Sequence, residues 1–141
     1  MNTVTLTGLT ERFVSKMLEQ GRGRILNVAS TAAFQPIPNM AAYAASKAYV
    51  LHYSEALAEE LRGTGVSVSV LCPGPTATDF GKRAGVEMLL LFEGPLLITA
   101  DRVAKEGYFE CLQARELLST ADSTKLEHFQ IDSVPAGYPA G

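Results

Sequence analysis

Tyr43 and Lys47 stand four residues apart in an alanine-rich run, Ala41-Ala-Tyr-Ala-Ala-Ser-Lys-Ala48, and Ser30 lies thirteen residues before the tyrosine. On a helix, positions i and i+4 project from the same face, which brings a lysine ammonium near a phenol. A cation so placed favours phenolate and lowers a pKa that is ordinarily about 10. A tyrosine tuned in this way serves as a general acid or base near neutral pH.

These residues need elements to hold them. Arg24-Ile-Leu-Asn-Val-Ala-Ser30 is an apolar run that reads as a strand over 24–30. Ser30 at its end would meet the tyrosine at the carboxyl end of a parallel sheet, where open α/β folds bind ligands. Before it, Leu6, Leu9, Phe13, Val14, Met17 and Leu18 make the apolar stripe of a helix over 3–19, stopped by Gly21. After Pro36 and Pro38 comes a helix from about Met40 to Leu61, punctuated by Gly63 and Gly65. Val66–Leu71 reads as a second strand, ended sharply by Pro73-Gly74-Pro75. Thr99 fits the N-cap of a further helix reaching about Arg115. Residues 76–98 carry no clear pattern, and the apolar run Met88–Phe92 reads equally as core or as a substrate-pocket lid. Residues 131–141, with Pro135, Gly137, Pro139 and Gly141, read as a flexible tail.

Ser30, Tyr43 and Lys47 match the Ser, Tyr-x-x-x-Lys pattern of the short-chain dehydrogenase/reductase family. The text around them agrees, from Gly21-Arg-Gly-Arg-Ile-Leu-Asn-Val-Ala-Ser30 through Tyr43-Ala-Ala-Ser-Lys47. Leu71-Cys-Pro-Gly-Pro-Thr-Ala-Thr78 resembles the family's Pro-Gly loop, and Asn2 matches an asparagine at the start of the preceding helix. A lone Tyr-x-x-x-Lys is a weak signal; the ordered set is specific. The resemblance covers roughly residues 2–115 and implies an oxidoreductase of Rossmann type, a doubly wound parallel α/β sheet. It implies NAD or NADP as cofactor and a small carbonyl or alcohol as substrate. Tyr43, Lys47, Ser30 and Asn2 are then the catalytic set. Tyr43 exchanges a proton with the substrate oxygen, Lys47 depresses the phenol pKa and bonds the nicotinamide ribose, Ser30 holds the substrate oxygen, and Asn2 helps position a water. Pro73, Gly74, Thr76 and Thr78, with Tyr43 and Lys47, would contact the cofactor.

One departure from the pattern stands out. A dinucleotide fold opens with a strand, a glycine-rich turn and a helix whose amino end holds the pyrophosphate. Gly21-Arg-Gly-Arg24 follows a helix and precedes a strand, the reverse order, and reads as a helix stop. The expectation is therefore the carboxy-terminal half of such a domain over 1–130, without the glycine-rich loop. Such a chain should be inactive by itself and bind nicotinamide cofactor weakly.

Composition agrees with a folded domain. The 141 residues are 47% hydrophobic and 19% charged, with net charge −3 and pI near 5.4. Nothing there suggests nucleic acid or an anionic membrane surface. Cys72 and Cys111 lie too far apart for a metal motif and read as reduced thiols, and no metal site is expected. With no apolar run of membrane length and a polar amino terminus, the cytoplasm is the expected location.

Each feature also has a plainer reading. Asn2 fits a simple helix cap, Pro73-Gly74 a turn, and Thr31 competes with Ser30 as the hydroxyl. His52 and His128 show no partner pattern, and Tyr49 and Tyr53 fit packing positions. A second reading of the whole chain is a non-catalytic association module, or a degraded gene product. By resemblance, helices 3–19 and 40–61 would form a homo-oligomer interface.

Overall fold

A computed structural model describes residues 2–77, 98–113 and 117–119, with Asn2 and 117–119 described by backbone alone. In chain order the elements are helix α1 (Asn2–Gln20), strand β1 (Gly23–Val28), a 3-10 turn (Thr31–Phe34) and helix α2 (Ala41–Glu60). Strand β2 (Val66–Cys72), the short strands β3 (Thr76–Ala77) and β4 (Ile98–Thr99), helix α3 (Ala100–Leu112) and strand β5 (Leu117–Ser119) follow.

β1, β2 and β5 form one parallel sheet in that spatial order. β1 runs beside β2 from Gly23 opposite Val66 to Val28 opposite Leu71. β5 takes the other edge of β2, with Val70 opposite Leu117. β3 and β4 make a separate parallel pair.

Strand alternation decides which helix covers which face. Val66, Val68, Val70 and Cys72 point to the side of α1 and α2, where they meet Val14, Val50, Leu51 and Leu61. Leu71 points to the opposite side and meets Val103 of α3, with Leu26 and Ile98 alongside. β2 is thus covered on both faces, as parallel strands require, and Val70 and Cys72 are fully buried. The fold is a partial Rossmann-type, doubly wound α/β arrangement. β1 is the sheet's open edge among the described residues, and Val28 remains 48% exposed there.

The turn at Gly21 stops α1 as expected. Gly21 adopts φ 65°, its N–H reaches Leu18 O, and Arg22 N–H reaches Met17 O. Thr99 caps α3, its Oγ1 accepting the Arg102 N–H at 3.3 Å.

Three expectations are corrected. β1 stops at Val28 rather than Ser30, because Ser30 turns its side chain back to accept the Ala32 N–H and starts the 3-10 turn. α3 ends at Leu112 rather than near Arg115, Gln113 closing its last turn onto Phe109 and Glu110. β5 was not expected at all: three residues are too short to show a period, and they become a strand only because β2 offers its second edge. The expectations for Thr78, the run Met88–Phe92, His128 and the tail 131–141 lie outside the described residues.

Candidate active site

The residues singled out by spacing gather where β1 and β2 end and α2 begins. After β1 the backbone keeps following β2: Ala29 N–H bonds Leu71 O at 2.8 Å and Thr31 N–H bonds Pro73 O at 2.9 Å. This ties Ser30 beside Cys72 and Pro73 at the carboxyl end of the sheet. The chain then crosses to α2 through Asn39, whose φ of 63° is one that asparagine tolerates better than most residues. Met40 O accepts the Ala44 N–H and opens the helix.

Tyr43 and Lys47 share one face of α2, with the Lys47 Nζ 5.9 Å from the centre of the Tyr43 ring. That is the outer reach of a favourable cation–aromatic contact. Lys47 Nζ donates to Val28 O at 3.1 Å, so the ammonium rests on the last carbonyl of β1. Burial lowers the Lys47 pKa below the ordinary lysine value, with Cys72 acting in the opposite sense. Tyr43 and Ser30 are half-buried, and Ser46, between the tyrosine and the lysine in sequence, bonds back to Tyr43 O at 2.7 Å.

Cys72, one of the two cysteines expected to be reduced and largely buried thiols, lies under this site. Its side chain is fully buried, and burial pushes the thiol up to about 11. The Ser30 backbone N–H and Lys47 pull the other way, and Glu55 adds to the rise. Its place at the end of the Val66-x-Val-x-Val-x-Cys72 alternation was the signal available in the sequence. Both cysteines are free.

Two clefts flank β1. One, about 450 Å³, runs between α1, β1 and α2 and is lined by Asn27, Val28, Ser46 and Lys47 together with Leu6 and Phe13. The other, about 650 Å³, lies toward α3 and includes Val28, Leu71, Pro73 and Thr76. The expected contact residues are therefore divided: Lys47 faces one cleft and Pro73 and Thr76 the other, and only Val28, on the open edge, belongs to both. Thr76 Oγ1 donates to Gly74 O at 2.9 Å, which stiffens the Pro-Gly loop. Asn2 is the first residue of α1. Among the described residues, no group of three or more His, Cys, Asp or Glu is placed to hold a metal ion. No helix there is long and apolar enough to cross a membrane.

Known proteins are similar to this chain in sequence and in fold. A 3-oxoacyl-[acyl-carrier-protein] reductase of Synechocystis is 40% identical over 92 residues, covering 63% of this chain and 37% of the relative. A sulfoacetaldehyde reductase of Chromohalobacter salexigens is 33% identical over 115 residues, covering 77% of this chain and 45% of the relative. A solved short-chain dehydrogenase from Sphingobium yanoikuyae, in complex with NADPH, superposes with a TM-score of 0.76 at 26% identity. That likeness covers 90% of this chain and 49% of the solved one. The chain thus spans less than half the length of these relatives. Residues 1–88 match the short chain dehydrogenase family, and the chain belongs to it.

Proposed function

We propose that residues 1–130 are the proton-transfer half of an NAD(P)-dependent oxidoreductase that interconverts a small carbonyl compound and its alcohol. The observation that carries this reading is the placement of Tyr43 and Lys47 on one face of α2, with the ammonium seated on the carboxyl end of β1. In the reducing direction the Tyr43 hydroxyl gives its proton to the substrate oxygen; in the oxidising direction the phenolate takes it. Lys47 sets its positive charge beside the Tyr43 ring. An ammonium has three donors, and Val28 O takes one, so the others are available to ribose hydroxyls. Ser30 Oγ accepts from Ala32 N–H and still has its own proton to donate to the substrate oxygen. Asn2, at the start of α1, orders a water in the proton relay. Pro73, Gly74, Thr76 and Thr78 contact the nicotinamide end of the cofactor. A bound nicotinamide dinucleotide supplies or accepts the hydride.

The residues fit the nicotinamide and its ribose better than the pyrophosphate. Lys47 has donors to spare, whereas among the described residues no strand, glycine-rich turn and helix follow one another to make a phosphate cradle. The 141-residue chain alone accordingly binds NADPH weakly and does not turn over. Turnover is to be measured on the protein isolated from its native source, with its intact mass recorded. NAD(P)H-dependent reduction of an aldehyde and ketone panel that vanishes in Tyr43→Phe supports the reading. Reduction that survives in Tyr43→Phe overturns it.

A second reading, a non-catalytic association module, is favoured by the apolar side chains that α1 leaves exposed. Val4 is 79% exposed and Phe13 56%, with Leu9 and Leu18 also exposed. Thr7 and Tyr49 share a 2.8 Å hydrogen bond that joins α1 to α2. The partner is a second copy or a full-length relative, and light scattering of the chain with and without that relative decides. A monodisperse monomer in both mixtures rules the module out.

A further inference from the structure

We propose that the buried pair Asn27–Ser54 is a positioning device that sets where α2 docks along β1, and thereby where Lys47 sits. The proposal rests on the reading of Lys47 as part of a proton-transfer site.

Asn27 Nδ2 donates to Ser54 Oγ at 2.9 Å, and Ser54 Oγ donates onward to Val50 O at 2.7 Å. Both residues are buried, so the strand amide and the helix hydroxyl find partners in each other instead of in water. Ser54 lies seven residues after Lys47, two turns along the same face of α2. Asn27 is the residue before Val28, whose carbonyl receives the Lys47 ammonium. Helix and strand are therefore joined by two directional bonds to adjacent strand residues, one buried and one at the mouth of the site.

Apolar packing between α2 and the sheet rests on Val50 and Leu51 and is thin on the Lys47 side of them. In the stretch of α2 that carries Tyr43 and Lys47, alanine stands at 41, 42, 44, 45 and 48, and of these only Ala44 is buried and Ala48 half-buried. Small side chains allow close approach but interlock poorly, so a shift of the helix along the sheet changes their burial little. A buried hydrogen bond is directional, and breaking it by a slip strands two polar groups away from water, at about 1–3 kcal/mol each. A single buried polar contact is known to select one register among apolar alternatives. Here it keeps the ammonium on Val28 O and within reach of Tyr43.

The test uses the 141-residue chain and needs no turnover. The ammonium of Lys47 is followed by NMR through a pH titration in wild type, Asn27→Leu, Ser54→Ala and the double variant. Val66→Ala, in the other α2–sheet cluster, is the packing control, and Ser54→Thr, which restores a hydroxyl, is the rescue. The groups facing Lys47 are Tyr43 and Cys72, unchanged in every variant. The expected result is that either single substitution moves the Lys47 titration toward the ordinary lysine value. Ser54→Thr should return it, and Val66→Ala should leave it in place despite lowering stability. A Lys47 titration unmoved in folded Ser54→Ala overturns the proposal and makes the pair purely structural. Should Asn27→Leu not fold, the Ser54 pair of variants decides alone. Catalysis is scored separately in the native-source protein: a shifted Lys47 without turnover sinks the oxidoreductase reading and leaves the positioning role. Turnover with an unmoved Lys47 sinks only the positioning role.

Discussion

The Lys47 ammonium donates to the carbonyl of Val28 across 3.1 Å, joining the helix that carries Tyr43 to the last residue of β1. A half-buried cation held there is unfavourable for folding, since burial penalises its charged form. Its placement makes sense for chemistry rather than for stability. Lys47→Met should therefore leave the melting temperature unchanged or raised at neutral pH, while reducing turnover of the native-source protein by at least about a hundredfold. Paired thermal melts and steady-state kinetics check this; a large drop in melting temperature would contradict it.

The pH dependence of the same group has a definite sign. Because the folded pKa of Lys47 lies below the ordinary 10.5, the unfolded chain binds more protons between those two values. Its contribution to stability thus rises with pH across that window. Urea melts of wild type and Lys47→Met at several pH values should diverge there, wild type gaining relative to the variant as pH approaches 10.5.

Cys72 acts in the opposite direction. Its folded pKa is raised to about 11 from an ordinary 9.0, so its contribution is complete below pH 9 and is lost as pH rises through about 11. At pH 7.5 the buried, protonated thiol should also resist alkylation, since the thiolate is the nucleophile. Mass spectrometry after iodoacetamide should find the partly exposed Cys111 modified well before Cys72. Equal labelling would mean that the site end of β2 opens readily.

Tyr43→Phe separates chemistry from binding. It removes the hydroxyl but keeps the ring beside Lys47, so the fold should persist. Turnover should fall by about a hundred- to ten-thousandfold with little effect on KM, the loss expected for a positioned general acid. Steady-state kinetics on the native-source protein measure both.

Gly65 and Gly63 offer a matched pair in one turn. Both adopt positive φ, 83° and 82°, but a Cβ on Gly65 would lie 2.1 Å from Gly21 O, whereas Gly63 faces open space. Gly63→Ala should cost about 1 kcal/mol, the conformational term alone. Gly65→Ala should cost several times more, because the turn after α1 must move and the Gly23 N–H to Gly65 O bond is lost with it. Denaturant melts of the two variants measure the difference.

Much of this protein is determined locally and so was legible in the sequence. The stripe of α1, the glycine that stops it, the Val-x-Val-x-Val alternation of β2 and the Thr99 cap each depend on neighbours a few residues away. The four-residue step from Tyr43 to Lys47 belongs to the same class, since helix geometry alone puts both on one face. What required the tertiary structure were relationships between distant segments. Ser30 leaves the strand because its hydroxyl finds the Ala32 N–H, and β5 exists because β2 has a second edge to fill. Lys47 meets Val28, Asn27 meets Ser54, and Cys72 comes to lie under Ser30 only once α2 crosses back over the sheet. Periodicity records which face a residue occupies. It carries no information on the partner across that face, which is decided by how helix and strand are packed and held in register.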